Sequence, residues 1–226
     1  MVVIGTELIF DLPTLQFPVQ LNCATELLDR HVAEGRGGRL CIQAPGVRWT
    51  YAELQAQANR IAHVLVRDMG LVPGNRVLLR SPNSPVLAAC WFAVVKAGGI
   101  AVGSMPLLRA QELKQIIDKA QISHALCDLR LAEELKLAAA DCATLRQVRY
   151  FHDPGPDGLE AAMAQQPAQF ENVDTAADDT CLMAFTSGTT GQPKGTMHFH
   201  RDVMAACACW PPHVLRPAPD DIFIGS

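Results

Sequence analysis

Residues 181–195 read CLMAFTSGTTGQPKG, an apolar run that passes directly into small, hydroxylated and glycine residues and then a lysine. The apolar part is β-prone, and a Ser/Thr/Gly-rich stretch after a strand is typical of a phosphate-binding loop. Glycines let backbone N–H groups point at anionic oxygens, hydroxyls add donors, and lysine supplies positive charge. The predicted phosphate-binding residues are Thr186, Ser187, Gly188, Thr189, Thr190, Gly191 and Lys194.

Other interpretations of this loop are weaker. In a Walker A loop the lysine is followed directly by serine or threonine, whereas Lys194 follows Pro193 and precedes Gly195. The glycines within residues 35–38 lack the G-x-G-x-x-G order of a dinucleotide fold. A solvent-exposed turn has a similar composition, but the preceding strand and the lysine favour phosphate binding.

Upstream of the loop, helical and strand-like patterns alternate. A capping box at Thr50 and Glu53 begins the clearest helix, and Ser84 before Pro85 begins another. This order predicts an α/β fold with a mainly parallel sheet layered with helices, and ligands at the carboxyl ends of the strands. Helices are predicted over residues 24–34, 50–69, 84–95, 110–120 and 131–141, and strands over residues 39–43, 76–79, 100–102, 124–127, 148–151, 181–185 and 222–224.

Composition excludes several classes of function. The 226 residues are 49% hydrophobic with a net charge of −4, and no basic stripe is present to bind nucleic acid. The most apolar run, residues 86–95, is too short to span a membrane, and the first residues lack a secretory signal. We therefore expect a cytoplasmic protein.

A flexible segment is predicted over residues 153–179, because proline, glycine and polar residues accumulate there.

The eight cysteines are scattered without a CxxC pair, mostly within apolar segments. This pattern predicts reduced, buried thiols. Cys207, Cys209 and His213 are close in sequence, but two prolines intervene and no fourth ligand has zinc-like spacing. We predict no dedicated metal site.

Residues 186–195 resemble, across ten consecutive positions, the phosphate loop of the adenylate-forming (AMP-binding, acyl-CoA synthetase) superfamily. Three upstream segments, residues 48–54, 73–77 and 97–102, share the resemblance. Residues 195–202 and 209–213 look most like benzoate-CoA and 2-aminobenzoate-CoA ligases.

The resemblance implies that residues 1–226 are a truncated N-terminal portion of an adenylation domain, incomplete and without the small C-terminal domain. The complete enzyme would use ATP to convert an aromatic carboxylic acid to an acyl-adenylate and then transfer it to coenzyme A. The loop would bind the β- and γ-phosphates, with Mg²⁺ near Thr189 and Thr190. The downstream adenine, ribose and adenylation-lysine motifs are missing, so the isolated chain is expected to be inactive.

Several alternatives stay open. A carrier-protein-loading adenylation domain or a fatty-acyl-CoA ligase would carry the same loop, and a non-catalytic nucleotide-binding or interaction module belongs to another class. His198 and His200 follow the loop and suggest acid–base chemistry. Packing or hydrogen bonding at a helix start is the favoured role for His200. The oligomeric state is not predicted.

Overall fold

The computed structural model describes residues 15–186, 193–218 and 220–225. Within these ranges two sheets form. The strands are β1 (Leu40–Ala44), β2 (Val47–Thr50), β3 (Arg76–Arg80), β4 (Ile100–Ser104), β5 (His124–Asp128), β6 (Gln147–Phe151), β7 (Thr180–Thr186) and β8 (Lys194–Phe199). β1 and β2 pair as an antiparallel hairpin, and the other strands form one sheet in the order β6-β5-β3-β4-β7-β8.

Five neighbouring strands of the large sheet run parallel, and only β8 at the edge is antiparallel. The predicted α/β class with a mainly parallel sheet is confirmed. β2 and β8 are strands that the sequence patterns did not predict. β4 lies beside β7 although Ala101 and its partner Leu182 are far apart in the sequence.

The helices are α1 (Tyr51–His63), α2 (Pro85–Lys96), α3 (Ala110–Ala120), α4 (Ala132–Ala140), α5 (Leu159–Met163) and α6 (His200–Trp210). The predicted capping box is present, because Thr50 Oγ1 accepts from the Glu53 N–H at 3.2 Å and Glu53 Oε2 accepts from the Thr50 N–H at 2.7 Å. Ser84 caps α2 by accepting from the Leu87 N–H at 3.1 Å. Residues 24–34 are helical as predicted, but wound largely as the π-helical turns Thr25–Asp29 and Val32–Arg36.

Helices cover both faces of the sheet. α1, α2 and α5 pack with Val77 and Leu79 in one core, while α3 and α4 pack with Leu78 and Val102 in a second core. Alternation along β3 therefore sends successive side chains into different cores. No helix in the described ranges is long and apolar enough to cross a membrane.

A buried ion pair joins α2 to the Thr25–Asp29 turn. Lys96 is 1% exposed, and its ammonium group donates to both carboxylate oxygens of Asp29. The same carboxylate accepts from Gln55 at 2.7 Å and Asn172 at 2.6 Å. Burial lowers the pKa of Lys96, and the attraction of Asp29 opposes this shift.

Two predicted features differ in the structure. Residues 153–179, predicted to be flexible, are tied to α1: the Asn59 amide donates to the Ala168 carbonyl at 2.7 Å, and His63 Nε2 lies 2.7 Å from the Gln169 carbonyl. The prediction of a strand over residues 222–224 is wrong, because the described residues 220–225 contain no strand. Ile222 is 83% exposed there, since no described strand pairs with this segment.

Candidate active site

The described part of the predicted phosphate loop is its stem. Thr186 ends β7 and Lys194 begins β8, and the two residues are direct partners in the antiparallel ladder. Both are exposed. Ser187, Gly188, Thr189, Thr190 and Gly191 lie outside the described residues. The loop therefore connects two paired strands instead of leading from a strand into a helix.

Gly195 packs closely against Phe185, a role that the loop's composition did not reveal. It is the ladder partner of Phe185, and a Cβ at position 195 would lie 2.9 Å from Phe185 Cζ. Any side chain at residue 195 would therefore push against the Phe185 ring. By contrast, a Cβ at Gly103 would meet nothing within 4 Å.

A cleft of about 870 Å³ opens at the carboxyl ends of β3, β4 and β7. Its walls are residues 81–84, 103–106 and 182–185, with Trp91 of α2 on one side. The lining is largely apolar, and Ser84 and Ser104 add hydroxyl groups. Such a space suits the hydrocarbon part of a small ligand better than its phosphates.

Arg80 at the end of β3 fixes one wall of this cleft. The residue is 1% exposed, and its guanidinium group donates to the carbonyls of Met105 at 3.2 Å, Pro106 at 3.1 Å and Leu108 at 2.9 Å. Burial lowers the pKa of Arg80. Arg80 was not among the predicted site residues, although a charged residue that ends an apolar strand at the ligand-binding edge is a usable signal.

A second groove lies on the other side of the loop stem, between α3 and β7. It is lined by Glu112, Gln115 and Ile116 of α3 together with Thr186 and Pro193. At its end the Lys119 ammonium group donates to the Pro193 carbonyl at 2.8 Å. α3 thus holds the residue that precedes Lys194.

An ionised carboxylate lies further along the same edge, at the end of β5. Asp128 is fully buried and accepts from Arg130 Nε at 2.9 Å and Nη2 at 2.6 Å, and its Oδ2 lies 3.0 Å from His152 Nδ1. Burial raises the pKa of Asp128, but the hydrogen bonds from Arg130 and His152 outweigh it and bring the pKa to about 2. Two strands, β3 and β4, separate this group from β7.

The two histidines after the loop differ in burial: His198 is half-buried in β8, whereas His200 is buried. His200 is 1% exposed at the start of α6, and its Nδ1 accepts from the Cys23 backbone N–H at 3.1 Å. This contact agrees with the structural role favoured for His200. Burial lowers its pKa. Cys207 and Cys209 are exposed, and no group of three close metal ligands among the described residues includes them.

A family model described as "AMP-binding enzyme" matches residues 28–226. The chain belongs to this family. The loop stem at the carboxyl end of β7 therefore lies within the part of the chain that matches this family.

Relatives in the AMP-binding family include CoA ligases for two kinds of acid. A benzoate–CoA ligase of Thauera aromatica is 27% identical over 214 residues, which is 95% of this chain and 41% of that protein. A long-chain-fatty-acid–CoA ligase, FadD13 of Mycobacterium tuberculosis, is 31% identical over 172 residues, 73% of this chain and 32% of that protein. The chain thus spans less than half the length of the relatives it matches.

A solved structure supports the same fold. The anthranilate CoA ligase AuaEII, in complex with anthranoyl-AMP, superposes with a TM-score of 0.83 over 90% of this chain and 38% of that chain. Its sequence identity is 23%, so this similarity shows the fold alone.

Proposed function

We propose that the whole protein activates an aromatic carboxylic acid of the benzoate or 2-aminobenzoate class with ATP and transfers the acyl group to coenzyme A. The observation that supports this most is the similarity to a benzoate–CoA ligase along 95% of the chain. The acid's carboxylate would attack the α-phosphorus of ATP, releasing pyrophosphate and forming the acyl-adenylate. The thiol of coenzyme A would then displace AMP.

In this proposal the loop binds the β- and γ-phosphates and the departing pyrophosphate. The described stem holds Thr186 and Lys194 side by side, so a hydroxyl donor and a positive charge emerge at one point of the sheet edge. Ser187, Gly188, Thr189, Thr190 and Gly191 complete the proposed set of phosphate ligands. The resemblance associates Mg²⁺ with Thr189 and Thr190, and the metal would neutralise phosphate charge there.

The largely apolar cleft beside the loop supports an acid with a hydrocarbon body. In this proposal residues 1–226 are an N-terminal portion of the adenylation domain. Adenylation would then depend on a C-terminal domain of the whole protein. Since ATP and coenzyme A are cytoplasmic substrates, a cytoplasmic location is part of the proposal.

The test is exchange of labelled pyrophosphate into ATP by the full-length protein, with benzoate, 2-aminobenzoate, octanoate and palmitate in parallel. We expect exchange that depends on the aromatic acids, and an acyl-CoA product when coenzyme A is added. Lys194→Ala should lower this exchange on the order of 100-fold without changing the unfolding midpoint. Lys136→Ala is the matched control. That lysine lies over the Tyr150 ring on β6, at the opposite edge of the sheet from the loop.

Similarity to FadD13 favours a second candidate, a fatty-acyl-CoA ligase. Exchange with octanoate or palmitate but not with benzoate would establish that candidate. Exchange that yields no acyl-CoA but loads a carrier protein would retain adenylation and replace the acceptor. Folded full-length protein that exchanges with none of these acids would refute both ligase candidates in favour of a binding module.

A further inference from the structure

Three metal-ligating side chains meet in the core below the loop stem, although they are far apart in the sequence. Cys23 precedes the Thr25–Asp29 turn, Cys181 lies in β7, and His200 begins α6. Their Sγ and ring nitrogen atoms all lie within 4.8 Å of one another. The two cysteines are 0% exposed and the histidine 1%.

One pair of these atoms is close to the spacing of ligands around a tetrahedral metal ion. With metal–sulfur bonds of about 2.3 Å and metal–nitrogen bonds of about 2.0–2.1 Å, neighbouring ligand atoms lie about 3.5–3.8 Å apart. Cys23 Sγ lies 3.3 Å from His200 Nδ1. Shifts of a few tenths of an ångström would bring this pair to coordination distance.

The histidine presents the correct nitrogen. Its Nδ1 accepts from the Cys23 backbone N–H and lies 3.3 Å from Cys23 Sγ, so this nitrogen carries a lone pair beside that thiol. A metal ion would take the place of that backbone donor. Cys181 is held by a contact of 3.6 Å from its thiol to the His198 carbonyl.

The apolar residues around the cluster favour a metal site with no net charge. Val95, Leu182, Trp91 and Met204 enclose the cluster, so a net charge would be strongly disfavoured. A divalent cation with two thiolates and a neutral imidazole is electrically neutral, whereas a monovalent cation would leave a buried negative charge. Met204, one turn after His200 on α6, packs against the cluster and is a further soft donor.

We propose that Cys23, Cys181 and His200 form a buried site for a thiophilic divalent cation such as Zn²⁺. Binding releases two thiol protons to solvent and joins the start of the described chain to β7 and α6. The site stands apart from the phosphate loop, because Cys181 is at the opposite end of β7 from Thr186. The proposal does not depend on the proposed ligase function.

The experiment titrates Co²⁺, and then Zn²⁺, into the full chain purified with chelator and reductant. We expect a thiolate-to-cobalt charge-transfer band that saturates at one equivalent and disappears when Zn²⁺ is added. Zn²⁺ should also raise the unfolding midpoint. Cys181→Ser and His200→Gln should each lose the band and the Zn²⁺-dependent shift.

Two controls separate this site from other thiols. Cys142→Ser removes a cysteine that is 3% exposed in the core beneath α3 and α4, and the band should persist. A variant with serine at both exposed positions, Cys207 and Cys209, should also keep it. A wild-type chain without the band, a band retained in both Cys181→Ser and His200→Gln, or uptake of Cu⁺ alone would overturn the proposal.

Discussion

Replacing Asp29 with alanine tests the buried ion pair that joins α2 to the start of the described chain. The substitution leaves the Lys96 ammonium group, 1% exposed, without its carboxylate. Removing one partner of a buried pair destabilises a protein by about 3–5 kcal/mol. For a chain of this size, that corresponds to a fall of roughly 6–20 °C in the unfolding midpoint.

The reverse substitution, Lys96→Met, should be less harmful. Asp29 keeps hydrogen bonds from Gln55 and Asn172, and its side chain is 19% exposed, so its charge stays partly solvated. The double variant Asp29→Ala/Lys96→Met leaves neither charge buried, so it should be more stable than Asp29→Ala alone. The order of stability is therefore wild type, then the double variant and Lys96→Met, with Asp29→Ala lowest.

Urea unfolding followed by circular dichroism measures these differences, and the double-mutant cycle isolates the coupling energy. Glu26→Ala is the control, because it removes an exposed pair with Arg30 on the same turn and should barely move the midpoint. If Asp29→Ala were no more destabilising than Glu26→Ala, the assignment of Lys96 as a buried charge would be refuted.

Three further predictions concern other parts of the molecule. Gly195→Val should destabilise the chain by about 1–3 kcal/mol, measured by urea unfolding, because its side chain overlaps the Phe185 ring; Phe185→Ala should relieve the clash. The pKa of Asp128 is about 2 in the folded protein, below its ordinary value of 3.8. Its contribution to stability is therefore present above pH 4 and is lost as the pH falls to 2. Asp128→Asn should lower the difference in unfolding free energy between these two pH values, measured by urea titration at each. Cys207 and Cys209 should react rapidly with a thiol reagent in the native chain, and all eight cysteines only after unfolding.

Each of these predictions has a contradicting outcome. Gly103→Val is the control for Gly195, since a Cβ there meets nothing within 4 Å; equal destabilisation by both would contradict the clash. An unchanged acid dependence in Asp128→Asn would show that its hydrogen bonds do not favour the ionised form. Cys41 is half-buried, so rapid reaction of more than three thiols would contradict the burial of the other five, Cys23, Cys90, Cys127, Cys142 and Cys181.

Local signals explain what the sequence could predict. The capping box at Thr50 and the Ser84–Pro85 helix start depend on residues within one turn, and both appear in the structure. The apolar strands β3 and β5 are buried on both faces, so their continuous hydrophobic runs predicted them as strands. The phosphate-loop composition identified the family because its residues are contiguous.

Long-range contacts explain the rest. β8 is an edge strand that exists through its ladder with β7, and its Met197 is 59% exposed, so no hydrophobic pattern marks it. The partners of Arg80 are backbone carbonyls, which any sequence supplies. Cys23 and His200 are 177 residues apart, and only the fold brings them together.

The neighbours of β4 in the sheet also determine when the stem can form during folding. β3 and β4 are close in sequence, whereas β5 and β6 lie between β4 and its other neighbour β7 along the chain, so we expect β7 to pair with β4 after β3 has done so. Closing such a long loop is entropically slower than forming neighbouring units, so the β7–β8 hairpin joins late. A partly folded chain would then retain the β3–β5 core but lack the pairing of Thr186 with Lys194.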